Sequence, residues 1–151
     1  MADALDPTYE QSRAVARLFF SLAEYVAEHP DDVTHRDAKL RDYYGPDPET
    51  RAVRLWLLVA WGPIMVGNAV RQLHGRHAND VAMWTTDTHD TDIHERAAIQ
   101  AVLAHINGDP DASHDVMIAH ANVTGPEGLE EMLMHLIAML ASAMRKQSGK
   151  N

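Results

Sequence analysis

The chain contains no cysteine in 151 residues. That absence removes disulfides, thiolate zinc sites, iron–sulfur clusters and a cysteine nucleophile together. A chain without thiols is also indifferent to the redox state of its compartment. Several other signatures are missing. There is no glycine-rich phosphate loop, no Gly-x-Ser-x-Gly elbow and no dinucleotide fingerprint. The N-terminal residues Met1-Ala2-Asp3-Ala4-Leu5-Asp6 are acidic and lack an apolar core, unlike a secretory signal, so the expected location is cytoplasmic. No segment alternates at the period of a strand.

What is present is ordinary globular material. Hydrophobic residues make up 46% and charged residues 23%, and the length suits a single domain burying roughly 70% of its unfolded surface. The net charge is −9, and its layout says more than its sum. Residues 1–50 carry −6, residues 51–78 carry +4 from Arg51, Arg54, Arg71 and Arg76, and residues 79–131 carry −10 with Arg96 as their one base. An acidic chain repels phosphate backbones, and four arginines flanking an apolar run make a poor nucleic-acid footprint. Nucleic acid is excluded as a partner, and the arginines are expected to pair with acidic neighbours across the fold.

Punctuation is the clearest structural signal. Asp6-Pro7, Asp47-Pro48, Asp109-Pro110 and Gly125-Pro126 each precede an apolar-periodic run. Asp at the N-cap accepts a bond from a free backbone N–H, and proline at the first helical position lacks an N–H that would be unpaired there anyway. These starts predict helices over residues 7–28, 48–74, 110–122 and 126–146. The helix from Pro7 carries Val15, Leu18, Phe19, Leu22, Tyr25 and Val26 on one face. A short helix over 34–44 ends at Gly45-Pro46. Another over 93–107 carries Ile99, Val102, Leu103 and Ile106, with Asp92 as its cap. In the helix from Pro110, Val116, Ala119 and Val123 point inward by spacing.

The run Leu55–Val66 is apolar on every face, which predicts a central helix wrapped by the others. It is only about a dozen residues long, short of the roughly 20 that a bilayer requires, so no membrane partner is expected. Gly62-Pro63 lies in its middle, and a proline there removes one hydrogen bond and crowds the preceding turn, predicting a break. The expectation is an all-α, single-domain bundle over residues 1–151, with about six helices around a central apolar helix broken at Gly62-Pro63.

Chemistry concentrates in one polar stretch. Of ten histidines, His74, His77, His89 and His94 fall between residues 74 and 95, interleaved with Asp80, Asp87, Asp90, Asp92 and Glu95. Imidazole and carboxylate suit zinc, iron, nickel or manganese. His77, His89 and His94 are the candidate ligands for a divalent transition metal, with nearby carboxylates orienting the imidazoles. This supports a metal-binding helical protein, with a metal-dependent hydrolase as the activity such a site would serve. Residues 75–92 otherwise read as a long loop, with Asp92 capping the helix that follows.

Two further readings compete. Arg54, Trp56 and Trp61 would flank a ligand pocket if Gly62-Pro63 opened one, or Arg54 pairs with Asp42, Asp47 or Glu49. The last helix carries a broad stripe of Leu129, Met132, Leu133, Leu136, Ile137, Leu140 and Met144, wide enough to serve an oligomer interface as well as a core. The leading expectation is a small helical interaction or scaffold domain, homodimeric through its C-terminal helix or engaging another protein. The metal-binding protein with a His/Asp site in the 74–95 segment is the alternative.

Overall fold

The computed structural model describes residues 7–74 and 91–149. Five helices follow one another: α1 (Pro7–Glu28), α2 (Val33–Tyr44), α3 (Pro48–His74), α4 (Ile93–Ile106) and α5 (Pro110–Gln147). The described residues include no strand. The all-helical expectation holds, and Pro7, Pro48 and Pro110 each begin a helix. The caps of the latter two work as the chemistry requires. Asp47 accepts from the Thr50 N–H at 3.0 Å and Asp109 from the Ala112 N–H at 3.0 Å. α2 is capped by Asp32, which accepts from the His35 N–H at 3.2 Å, and ends at Gly45 with φ of 71°, a backbone that favours glycine.

α5 organises the bundle, packing against α1, α3 and α4. Its stripe Leu129, Met132, Leu133, Leu136, Ile137 and Leu140 is buried inside the chain, joined by Val15, Phe19 and Leu22 of α1 and Val102 and Ile106 of α4. Ser113 adds a polar tie, donating to the Ala101 carbonyl at 2.8 Å across the α4–α5 contact.

The helix count departs from the sequence reading at α3 and agrees with it at Gly125. α3 does not break: it runs through Pro63 as one helix of 27 residues. The reason is close packing at its glycines. A Cβ on Gly62 would lie 2.5 Å from Leu136 Cδ1, and one on Gly67 would lie 2.8 Å from His105 Cδ2. α3 therefore lies almost backbone-to-side-chain against α5 and α4, and that contact holds the helix together across a proline that is itself fully buried. α5, by contrast, does depart from helical geometry, at Gly125 with φ 72° and ψ −169°. The helix starting at Pro126 is thus distinct from the one before it, as the Gly-Pro pair implies.

Two packing expectations are corrected. Val123 is 82% exposed and Ala119 is exposed, so they do not face inward. The inward residues of that helix are Ser113, Met117 and His120. α3 is also not wrapped on all sides. Leu55, Leu58, Val59 and Val66 are buried, but Val53 and Ile64 are exposed and Trp56, Leu57, Trp61 and Met65 are only partly covered. Because it does not break, the dozen apolar residues counted from sequence lie within one continuous helix of 27 residues. Its most apolar 18 residues have a mean hydropathy of 1.4, yet only 39% of them are buried. By length and composition alone that helix also qualifies as a membrane span, although its buried side is packed as a core helix is.

Gly62→Ala is expected to destabilise the protein by about 1–3 kcal/mol, the usual consequence of overpacking a tight core. Urea unfolding of wild type and variant measures this. An unchanged midpoint would mean that α3 and α5 do not approach each other this closely.

Candidate functional site

The N-terminus of α4 gathers the polar chemistry of the described structure. Asp92 is the N-cap, with Oδ1 accepting from the Glu95 N–H at 2.8 Å. Its other oxygen, Oδ2, lies 3.5 Å from Nε2 of His135, and Glu95 Oε2 lies 3.9 Å from Nδ1 of the same ring. His135 comes from the second part of α5, so the two carboxylates of one helix turn bracket an imidazole delivered from another helix. One potential ligand atom from each of Asp92, Glu95 and His135 lies within 4.8 Å of the others.

A second contact adjoins the first. His94 Nδ1 and His120 Nε2 are 3.0 Å apart, with the rings edge to face. Neutral imidazole has one donor and one acceptor nitrogen, so the pair shares a single proton in a hydrogen bond. His120 is buried at 9% exposure, and Thr124 donates to its backbone carbonyl at 2.7 Å. A polar cavity of about 480 Å³ opens beside these groups, lined by His94, Thr124, Glu127, Gly128, Glu130 and Glu131.

The departure at Gly125 makes this convergence possible. On an unbroken helix, residues 120 and 135 would be about 22 Å apart. The non-helical backbone at Gly125 instead lets His120 and His135 both reach the first turn of α4.

Electrostatics follow from the geometry. Asp92 is held below the ordinary carboxylate value, first by the hydrogen bond from Glu95 and then by the neighbouring His135 and His94 rings. His120 is held below the ordinary histidine value by burial and by the adjacent His94, opposed by Gly128 and Asp92. His105, packed over Gly67 on the other side of α4, is lowered by burial and by the Arg71 guanidinium.

The residues singled out from sequence fare differently. His94 sits in the cluster, but bonded to His120. His77 and His89 lie outside the described residues, so the ligand set His77, His89 and His94 is not brought together by anything described. Asp92 caps α4 as expected. Arg54 is exposed, donates to the Tyr43 carbonyl at 2.6 Å and lies over the Tyr43 ring, instead of pairing with an acid. Trp61 lies two turns further along α3, and the helix is continuous at Gly62-Pro63, so the break that was to open a pocket there does not occur. Sequence reasoning missed His135 and the pairing of Asp92 with Glu95. The Asp92-x-x-Glu95 spacing was a usable signal, since residues three apart share a helix face. His135 had none, because its partners are 40 residues away.

Comparison of the chain with protein-family models, curated proteins and solved structures finds no match.

His105 and His120 set a direction for stability against pH. Their folded-state values lie below the unfolded one, so the unfolded chain takes up protons first. Stability is therefore full above the ordinary imidazole value of 6.5 and is lost as pH falls through it toward the folded values. The urea midpoint is expected to drop between about pH 7.5 and about pH 5.5, and His105→Gln should flatten part of that drop. A midpoint that rises on acidification would contradict the lowered values of these two rings.

Proposed function

We propose that this protein is a small helical interaction module that pairs with a second copy of itself through the outer flank of α3. The observation that carries this reading is the uncovered apolar stripe on that helix. Val53, Leu57, Trp61 and Ile64 recur at three- and four-residue spacing along one side, over about 16 Å of helix. Val53 is 60% exposed and Ile64 is 36% exposed.

Contiguous apolar surface rimmed by polar residues is characteristic of protein-binding faces. Tryptophan is among the residues that most often anchor them. The C-terminal stripe is the weaker support for self-association, because Leu136 and Leu140 are spent inside the chain. Charge points to α3 as well. Residues 51–78 carry no acid, so the stripe itself sets no carboxylate of one chain against its counterpart in the other.

Size shapes the contact. A stable interface buries about 800 Å² on each partner, more than one helix stripe supplies. The groove next to it, about 660 Å³, adds apolar surface from Val15, Val53 and Leu57, and Asp42, Asp47 and Glu49 line it too. A two-fold arrangement lays each stripe over its copy and each groove rim over the other.

The test is the molar mass of the full chain by light scattering coupled to size exclusion, near 100 µM, for wild type and the double variant Val53→Glu/Ile64→Glu. Both substituted side chains are exposed, so circular dichroism should show the helix content unchanged. The expected result is a dimer for wild type and a monomer for the variant. A wild-type monomer, or a variant that stays dimeric, overturns the proposal. So does recovery of the wild type on neutral lipid vesicles with the variant left free, which would make the flank a lipid-facing one.

A further inference from the structure

We infer that Asp92, Glu95 and His135 form a binding site for one divalent transition-metal ion. This does not rest on self-association, because the site lies at the junction of α4 and α5 and shares no residue with the outer flank of α3.

Donor chemistry is the first support. Two carboxylate oxygens and one imidazole nitrogen suit manganese, iron or zinc, whereas an imidazole is a poor ligand for calcium or magnesium. Geometry is the second. Ligand atoms held tetrahedrally around one ion at 2.0–2.2 Å lie about 3.3–3.6 Å from each other. The present separations of up to 4.8 Å therefore need a contraction of up to about 1.5 Å. Asp92 and Glu95 have room for that, since their side chains are 57% and 41% exposed.

Preorganisation is the third support. Asp92 Oδ1 is fixed by the cap bond to Glu95, so the carboxylate is already oriented, with Oδ2 turned toward His135. Of the nearby guanidinium groups, that of Arg51 is taken up by Glu130 on the adjoining cavity. Arg96 is the one base in residues 79–131, and its guanidinium is turned to the Thr91 carbonyl at 3.3 Å. Glu127 and Glu131, on the adjoining cavity, add to a negative field that draws a dication in.

Three protein ligands leave coordination positions open. In catalytic metal sites such positions hold water or a substrate oxygen, and here they would face solvent. The His94–His120 contact lies beside the site and pins the first turn of α4 to the first part of α5, which holds Asp92 and Glu95 in register with His135.

The experiment uses chelator-treated full-length protein. Zn²⁺ and Mn²⁺ are titrated in by calorimetry, and metal retained after desalting is counted by mass spectrometry. Asp92→Asn, Glu95→Gln and His135→Gln are the test variants. Asparagine remains a good N-cap, so the first of them keeps α4 intact, and helix content is checked for all three. One ion per chain is expected, weakened at least about tenfold by each substitution. Ca²⁺ is expected to bind at least about tenfold more weakly than Zn²⁺. His29→Ala, at an exposed histidine far along the chain, is expected to leave affinity unchanged. Absence of a stoichiometric ion overturns the inference. So does an ion held equally by all three variants, or one lost on His77→Ala or His89→Ala alone. Repeating the titration with Val53→Glu/Ile64→Glu separates the two proposals: unchanged metal binding by that variant is expected, whatever its mass.

Discussion

Everything in the bundle depends on how closely α3 can approach α5. Gly62 presents no side chain to Leu136, whose Cδ1, Cγ and Cβ would lie 2.5, 3.1 and 3.2 Å from a Cβ placed there. That approach places Leu55, Leu58 and Val59 against the stripe of α5 and makes one core of them. Pro63 would ordinarily cost a helix about 3 kcal/mol through a lost bond and a crowded turn. Here the burial of its neighbours offsets that cost, since each fully buried aliphatic side chain contributes about 1.5–3 kcal/mol. The glycine that makes a break look plausible in the sequence is what lets packing override it.

The same close approach leaves α3 with two unlike sides. One is taken up by α4 and α5, and the other keeps Val53, Leu57, Trp61 and Ile64 at or near the surface. The arginines along this helix are occupied locally. Arg51 pairs with Glu130, Arg54 donates to the Tyr43 carbonyl and Arg71 to the Ile106 carbonyl. One of three thus meets an acid, and the other two cap carbonyls of neighbouring elements. They tie α2, α4 and α5 to α3 without covering its apolar flank.

Local chemistry was legible in the sequence and long-range chemistry was not. Helix starts at Pro7, Pro48 and Pro110 follow from Asp-Pro pairs, because a cap acts within one turn. The buried positions of α1 follow from spacing. The fate of Pro63 depends on Leu136, 73 residues away, and no window along the chain contains both. Val123 shows the same limit. Periodicity placed it inward, but His120 takes that side of the helix because it finds a hydrogen-bond partner in His94. A buried polar side chain with a partner can take the place of an aliphatic one, since the hydrogen bond offsets the cost of removing it from water. Of the candidate site, Asp92, His94 and Glu95 lay inside the segment the sequence marked. His120 and His135 did not, because it is the turn at Gly125 that brings them there.

Gly125 therefore deserves the weight that Gly62 has in the core. Its φ of 72° with ψ near 180° is a backbone that residues other than glycine adopt only under strain of order 1–3 kcal/mol. No heavy atom lies within 4 Å of where its Cβ would be, so the strain is in the backbone and not in packing. Gly125→Ala is thus expected to destabilise the fold by about that amount with no core side chain disturbed. If the chain relieves the strain by straightening α5, His120 and His135 must move apart and the cluster at α4 must open, with weaker metal retention than in wild type. If the turn instead survives, stability falls but metal retention does not. The two glycines thus divide the molecule: Gly62 sets how tightly it packs, and Gly125 sets which side chains meet.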